Sequence, residues 1–296
     1  MPNLISEITF VNTYNGGVGY WGGYHPQISY DGTFVAFDTV PGVAPWVGYG
    51  GPNFPPFIDL GGTLLSSGAE HIYLKNLATN ALTYLDPVVI GNFGLDYSRG
   101  GDPTSISADG RYVAYEFSGP DADQLSIANT STGAISNPNS DADGILGNGF
   151  SGSGALSSTG RYVAFRSSST NLVPNDINGT IDVFLKDTVT GAISLVSALS
   201  NGTLGNHASD AKSVSTDGRY VLFETFATNL GGTAADLDIF VKDMQKGTLM
   251  SMGTTNMGAK HSSMTADGRY VVFDIHPFES FAQVYRFAPV LTSTVV

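Results

Sequence analysis

The sequence predicts an all-β protein: a five-bladed β-propeller of four-stranded antiparallel blades that fills residues 1–296 as a single domain. Three observations lead to this fold. One strand–turn–strand phrase recurs five times, a second pair of short strands follows most copies, and the composition favours short strands joined by turns. Closed all-β architectures reach this length as one unit, so the chain can bury a large core.

The composition favours strands and argues against disorder. Charged residues make up only 13% of the chain, and there are 37 glycines, which suits many short strands with tight turns. A disordered chain would carry fewer apolar residues than the 42% found here.

The recurring phrase predicts a β-hairpin in each repeat. An Asp-Gly or Thr-Gly pair tolerates the positive φ of a tight turn, and the RYVAF-like segment after it alternates β-branched and aromatic residues as a strand does. The turns lie at 31–32, 109–110, 159–160, 217–218 and 267–268, within QISYDGTFVAFD, SISADGRYVAYE, ALSSTGRYVAFR, SVSTDGRYVLFE and SMTADGRYVVFD.

A second strand pair completes the repeat. It is clearest in IDVFLKD with AISLVS, in LDIFVKD with TLMSM, and in HIYLKN with ALTYLD. The unit is therefore four antiparallel strands, a to d, over about 50 residues, as in propeller blades.

These phrases carry a family resemblance. The pattern S-x-D-G-R-Y-V-A-F, together with TNLVPNDINGTIDVFLKD at 170–187, resembles the TolB-like (WD-type) β-propeller repeat over most of the chain. The resemblance implies a propeller but no single activity, because the family includes binding scaffolds, partner-docking domains and domains attached to hydrolases. Function has to be argued from sites placed on the fold.

Ring closure can also be predicted. The segment SEITFVN, at 6–12, has the pattern of a strand d and is expected to pair beside QVYRFA in the last blade, which would leave no open sheet edge. The alternative is that LTSTVV, at the C-terminus, supplies this strand.

The strand order places all long connections on one rim, which we call the loop face: it carries the b–c and d–a loops, including an insertion at 39–70. Aromatic rings in these loops could stack on a sugar or anchor a protein partner, and a compact core within the insertion is the alternative. The predicted ligand-binding residues are Tyr20, Trp21, Tyr24, Trp46, Tyr49 and Tyr97.

One ionisable side chain per repeat follows the second aromatic of strand b. These residues are Asp38, Glu116, Arg166, Glu224 and Asp274. If the four carboxylates Asp38, Glu116, Glu224 and Asp274 converged, they could act as the acid and base of glycoside hydrolysis. The alternative is that each is a separate hydrogen-bonding or Arg-paired group.

Two loops have the spacing of calcium ligands, which makes calcium the candidate cofactor. The first loop offers Asn139, Asp141, Asp143 and Ile145, and the second offers Asp176, Asn178 and Asp182. Ordinary Asx-Gly turns are the alternative for both. Three histidines, His25, His261 and His276, could line a metal pocket, or could be near one another by chance.

The function predicted from the sequence is a non-enzymatic binding module of a cell-surface or secreted bacterial-type protein, with the periplasm as the alternative location. The net charge of −13 argues against nucleic acid, and the absence of cysteine excludes disulfides and thiol nucleophiles. The first ten residues lack the pattern of a signal peptide, and no apolar run is long enough to cross a membrane. A carbohydrate-active enzyme is the alternative function.

Overall fold

The computed structural model describes residues 13–14, 17–18, 23–29, 31–39, 71–79, 81–85, 103–118, 123–232, 237–252, 259–275 and 283–287. These residues form β-strands, turns and bends, and no helix that could cross a membrane occurs among them. The strands are β1 (Thr13–Tyr14), β2 (Gly17–Val18), β3 (Gly23–Ile28), β4 (Phe34–Thr39), β5 (His71–Asn76), β6 (Leu82–Tyr84), β7 (Pro103–Ile106), β8 (Tyr112–Ser118), β9 (Asp123–Asn129), β10 (Ile135–Ser136), β11 (Ser151–Leu156), β12 (Tyr162–Ser167), β13 (Asp182–Asp187), β14 (Ile193–Leu195), β15 (Ser209–Val214), β16 (Tyr220–Thr225), β17 (Asp238–Asp243), β18 (Thr248–Ser251), β19 (Ala259–Met264), β20 (Val271–Ile275) and β21 (Gln283–Phe287).

Each repeat forms its own antiparallel sheet. The first four sheets each contain four strands in chain order, β3 to β6, β7 to β10, β11 to β14 and β15 to β18. The fifth sheet contains β19, β20 and β21 within the described residues, and β1 pairs with β2 in a separate hairpin. The predicted four-stranded antiparallel sheets are thus confirmed. Both candidates for the closing strand, at 6–12 and in LTSTVV, lie outside the described residues.

The turn between strands a and b is held by local contacts that explain its sequence. In the fourth sheet, Gly218 N–H donates to the Ser215 carbonyl at 2.9 Å, and Gly218 adopts a φ of 71°. The Ser215 hydroxyl donates to Asp217 at 2.6 Å and accepts the Tyr220 N–H at 2.9 Å. Because these contacts span at most five residues, Ser-x-Asp-Gly closes the turn without help from other repeats.

Successive sheets pack face to face, and their cores are shared between neighbours. One buried cluster joins each consecutive pair of sheets; between the third and fourth sheets it includes Ala164, Val183, Val221 and Phe223. A Cβ placed on Gly218 would lie 2.6 Å from the ring of Tyr162, so this glycine lets the ring of the preceding sheet rest on the turn. Packing between sheets therefore depends on the same glycine that the turn requires.

Candidate functional site

The carboxylate of Glu116 fastens the second sheet to the third. It accepts the backbone N–H of Ser153, which lies in a bulge of β11 and has a φ of 51°. A Cβ on Gly152 would lie 2.8 Å from the Glu116 carboxyl carbon, so a glycine at this position leaves room for the acid. The predicted catalytic candidate Glu116 is therefore already committed to a backbone donor.

Glu224 makes the equivalent contact between the fourth and fifth sheets. The side chain is buried, and one carboxylate oxygen accepts both the N–H of Ser262 at 3.0 Å and its hydroxyl at 2.8 Å. The other oxygen lies 3.3 Å from the ammonium of Lys212. A carboxylate with three such partners is held in one orientation, which suits a structural contact better than a general acid.

Arg166 replaces the acid in the third repeat, and an acid faces it from the fourth. The Arg166 Nε lies 3.7 Å from Oδ1 of Asp210, and within the described residues neither atom has a hydrogen-bond partner. Lys212 donates to the other oxygen of Asp210 at 2.7 Å. Burial opposes the charge on Lys212, but the carboxylates of Asp210 and Glu224 outweigh it and raise the pKa of the ammonium.

Glu116 and Lys212 border a cavity of about 280 Å³ between the first strands of three successive sheets, which we call the inner-strand cavity. Its lining residues are Thr104, Glu116, Ser153, Gly154, Ala155, Ala211 and Lys212. Thr104 ties two of these strands together by donating to the Gly154 carbonyl at 2.7 Å. With Glu116 and Lys212 both at its wall, the cavity offers an acceptor and a cation to a polar ligand.

The remaining sequence-predicted groups are only partly described. Asp38 is buried in β4, whereas the structure places Asp274 in β20 without describing its side chain. Tyr24 lies in β3 and His261 in β19, again without a described side chain. The other aromatic and histidine candidates, Tyr20, Trp21, Trp46, Tyr49, Tyr97, His25 and His276, either lie outside the described residues or lack a described side chain. Among the described residues, no group of three or more His, Asp or Glu side chains could hold a metal ion.

The first calcium-like loop uses one carboxylate oxygen internally, whereas the buried Oδ1 of Asn139 has no hydrogen-bond partner among the described residues. Asp141 Oδ1 accepts the N–H groups of Asp143 and Ile145 at 2.9 and 2.8 Å. The buried Lys186 reaches the loop from β13 and donates to the carbonyls of Ser140 and Asp141 at 2.7 and 2.9 Å. The ammonium of Lys186 thus already hydrogen-bonds to two carbonyls of this loop, although calcium binding here stays a prediction.

A second copy of this loop shows that the shape does not require acids. In the loop between the third and fourth sheets, Leu199 N–H donates to the Thr203 carbonyl at 2.9 Å, as Asp141 N–H does to the Ile145 carbonyl at 2.8 Å. Lys242 donates to the Ala198 carbonyl, in the position that Lys186 takes in the earlier loop. Sequence analysis missed these lysines, although the signal was present as the Lys of YLKN, FLKD and FVKD.

An asparagine clasp joins the d–a loop to the b–c loop on the loop face. Asn148 N–H donates to Asn171 Oδ1, and Thr170 N–H donates to Asn148 Oδ1, both at 2.9 Å. The next repeat has the same arrangement in Asn206, Thr228 and Asn229. The repeated Thr-Asn pairs and the Gly-Asn pairs were visible in the sequence but were not recognised as partners.

In the second calcium-like loop, the charge of one acid acts on another acid. Asp182 is fully buried, and its two oxygens accept the Ser197 hydroxyl at 2.6 Å and the Asn178 amide N–H at 2.7 Å. Burial first, and the charge of Asp182 second, raise the pKa of Asp176 to about 6. Burial also raises the pKa of Asp182, with the two hydrogen bonds opposing it.

Comparison with solved structures identifies the fold. TolB from Acinetobacter baumannii aligns with 90% of this chain at 14% identity and a TM-score of 0.50, and the chain spans 52% of its length. The β-propeller domain of the Trilobed protease from Pyrococcus furiosus gives a TM-score of 0.55 at 13% identity, with 90% of this chain and 68% of that one covered.

An oligogalacturonate lyase in complex with manganese gives a TM-score of 0.53 at 14% identity, covering 92% of this chain and 67% of that one. No protein-family model matches the sequence, and no curated protein matches it. At these identities the likeness supports a TolB-like β-propeller fold and carries no activity over to this chain.

Proposed function

We propose that this propeller is a non-enzymatic binding module whose loop face takes a glycan or a protein partner. The observation that carries the proposal is that acids of strand b hydrogen-bond to the neighbouring sheet. Glu116 and Glu224 are each bonded to the strand a backbone of the next sheet, and Arg166 faces Asp210. A glycosidase needs two carboxyl groups facing one another across an open cleft. Carboxylates that hydrogen-bond one sheet to the next instead suit a rigid scaffold.

The inner-strand cavity gives this module a polar site whose lining includes the carboxylate of Glu116 and the ammonium of Lys212. Strand a begins at the loop face, and Asp210 and Lys212 lie near its start in β15. The aromatics Trp21 and Trp46 belong by sequence to loops of the same face, so a ligand could contact both rings and charges. Tyr20, Tyr24, Tyr49 and Tyr97 are the further contacts that we propose.

The test is a glycan array probed with the intact chain, with and without calcium, followed by affinity measurements on the hits. Trp21→Ala and Trp46→Ala should weaken binding roughly 30-fold, the effect of losing an anchor of about 2 kcal/mol, while the Tm stays nearly constant. A large fall in Tm would identify the ring as core. A Val189→Ala variant, which removes an exposed apolar side chain from the turn between β13 and β14 on the opposite rim, is the control.

The competing function is a carbohydrate-active enzyme that uses Asp38, Glu116, Glu224 and Asp274. Incubating the protein with oligogalacturonate and other polysaccharides, with and without manganese, tests this alternative. Cleavage that Glu224→Gln abolishes would replace the binding proposal. A location outside the cytoplasm, at the cell surface or alternatively in the periplasm, is part of the proposal and is tested by cell fractionation.

We further propose that the five sheets close into a ring. In the third and fourth sheets, the stacked pairs Phe165–Phe184 and Phe223–Phe240 pack against the preceding sheet. The equivalent pair in the first sheet, Phe37 and Tyr73, is also stacked and buried. In a closed ring the sheet before the first is the fifth, so closure would account for the burial of this face.

Cross-linking tests closure cleanly because the chain has no cysteine. The Ser158 and Thr216 hydroxyls of neighbouring turns lie 2.7 Å apart, so Ser158→Cys with Thr216→Cys should form a disulfide and serves as the positive control. The corresponding residues of the first and fifth turns are Tyr30 and Ala266. An intramolecular disulfide in Tyr30→Cys/Ala266→Cys supports a closed ring, and free thiols under the conditions that oxidise the control would refute it.

A further inference from the structure

One surface loop turns an acid inward and an apolar side chain outward. Between β12 and β13, Asp176 is only 6% exposed, whereas Ile177 beside it is 86% exposed. Burying an ionisable carboxyl while leaving a large apolar side chain in water is the reverse of the usual preference. Such an inversion needs an interaction that favours the acid inside.

The described residues supply no such interaction. No hydrogen-bond donor and no cationic side chain among them contacts the Asp176 carboxylate, and the charge that acts on it is that of Asp182. Asp182 itself is fixed by Ser197 and Asn178. Two neighbouring buried carboxylates repel one another, and a buried charge without a partner is costly. A bound cation would remove both costs.

We propose that Asp176 and Asp182 hold a calcium ion, with Asn178 as a further oxygen ligand. All available ligands are oxygens, which hard cations such as calcium prefer. The two carboxylates balance the charge of a divalent ion. Because the loop lies at the surface, backbone carbonyls and water can complete the six to eight oxygens that calcium takes.

The loop backbone is shaped to wrap around a small centre. Asn175 and Gly179, on either side of Asp176, have positive φ values of 64° and 66°. Asn178 donates to both Asp182 and the carbonyl of Gly205 at 2.7 and 2.9 Å, which fixes the far side of the loop. The site is therefore partly preorganised, and only the Asp176 side lacks its counter-charge.

The first calcium-like loop, which contains Asp141, provides an internal control for this site. There the Lys186 ammonium satisfies the loop carbonyls, and backbone N–H groups satisfy Asp141. This site is independent of the proposed partner-binding function, because its test measures calcium binding and stability rather than partner affinity.

The experiment is calorimetric titration of the intact, chelator-treated protein with calcium chloride, paired with Tm measurements at matched ionic strength in sodium chloride. We expect a one-site isotherm and a Tm that rises by several degrees when free calcium is about one hundred times Kd. Asp176→Asn should abolish the isotherm and the Tm response while keeping the protein folded, because it removes the repulsion along with the ligand. Asp141→Asn should keep both responses.

Three results would overturn the proposal: a wild-type protein that does not respond to calcium, a Tm response that sodium chloride reproduces, or a calcium response that survives Asp176→Asn. Loss of the response in Asp141→Asn alone would assign calcium to the first loop instead and would equally refute this site.

Discussion

Replacing Gly218 by alanine should destabilise the protein through two separable effects. Its φ of 71° lies in the left-handed region, where an L-residue costs about 1–2 kcal/mol. The new Cβ would also lie 2.6 Å from ring carbons of Tyr162, and overpacking of this kind typically costs about 1–3 kcal/mol. We therefore expect Gly218→Ala to lower the free energy of unfolding by about 2–5 kcal/mol.

Gly133 is the matched control, because it has the same φ of 71° in the turn between β9 and β10 and no described atom lies within 4 Å of a Cβ placed on it. Gly133→Ala should cost only the backbone strain, about 1–2 kcal/mol. Urea unfolding of both variants measures the difference. In a double-mutant cycle with Tyr162→Ala, which removes the ring together with its Cγ, Gly218→Ala should cost less than it does in the wild-type background. Equal costs for the two glycines would refute the idea that this turn is a contact between sheets.

Three further predictions concern hydrogen bonds and ion pairs between and within sheets. Glu224→Gln should lower the free energy of unfolding by about 1–3 kcal/mol, measured in urea, because the Lys212 ammonium loses one of its two carboxylate partners. Asn229→Asp should cost about 1 kcal/mol by removing the amide donor to the Leu204 carbonyl, and unchanged stability would count against the clasp. Arg161 pairs with Asp187 and lowers the pKa of its carboxyl group below the unfolded value of about 4. The ion pair therefore stabilises the fold above about pH 4, and this stabilisation is lost as the pH falls towards the lower pKa of Asp187 in the folded state. Asp187→Asn should therefore flatten the acid limb of the pH–stability curve, and an unchanged limb would contradict this reasoning.

The turns were predictable because everything that forms them lies within six residues. Ser215, Asp217 and Gly218 satisfy one another and the next strand without any partner from elsewhere. The β-branched and aromatic residues of β12 and β16 likewise identified strands, and the structure buries these strands on both faces. The number of repeats and the four-strand unit follow from these local signals alone.

The roles of the charged residues were not predictable in this way. The residue after the strand b aromatic was expected either to converge with its equivalents or to be a separate hydrogen-bonding or Arg-paired group, and the sequence named no partner for it. Glu224 bonds to Ser262, 38 positions later, and Lys186 reaches a loop that precedes it by 45 positions. Which donor meets which carboxylate depends on how neighbouring sheets stack, and the spacing of residues within one repeat carries no information about that stacking.

The sequence by itself determined the repeat, its turns and its antiparallel sheets, because hydrogen bonds between near neighbours and side-chain alternation specify them. Only the tertiary structure decided which of two similar acidic loops lacks a counter-charge. Asp141 and Asp176 both lie in Asx-Gly loops. A lysine from β13 satisfies carbonyls of the first loop, whereas the second turns its acid towards Asp182. That difference arises from contacts across the fold, since a buried charge is stabilised by the groups that surround it in space.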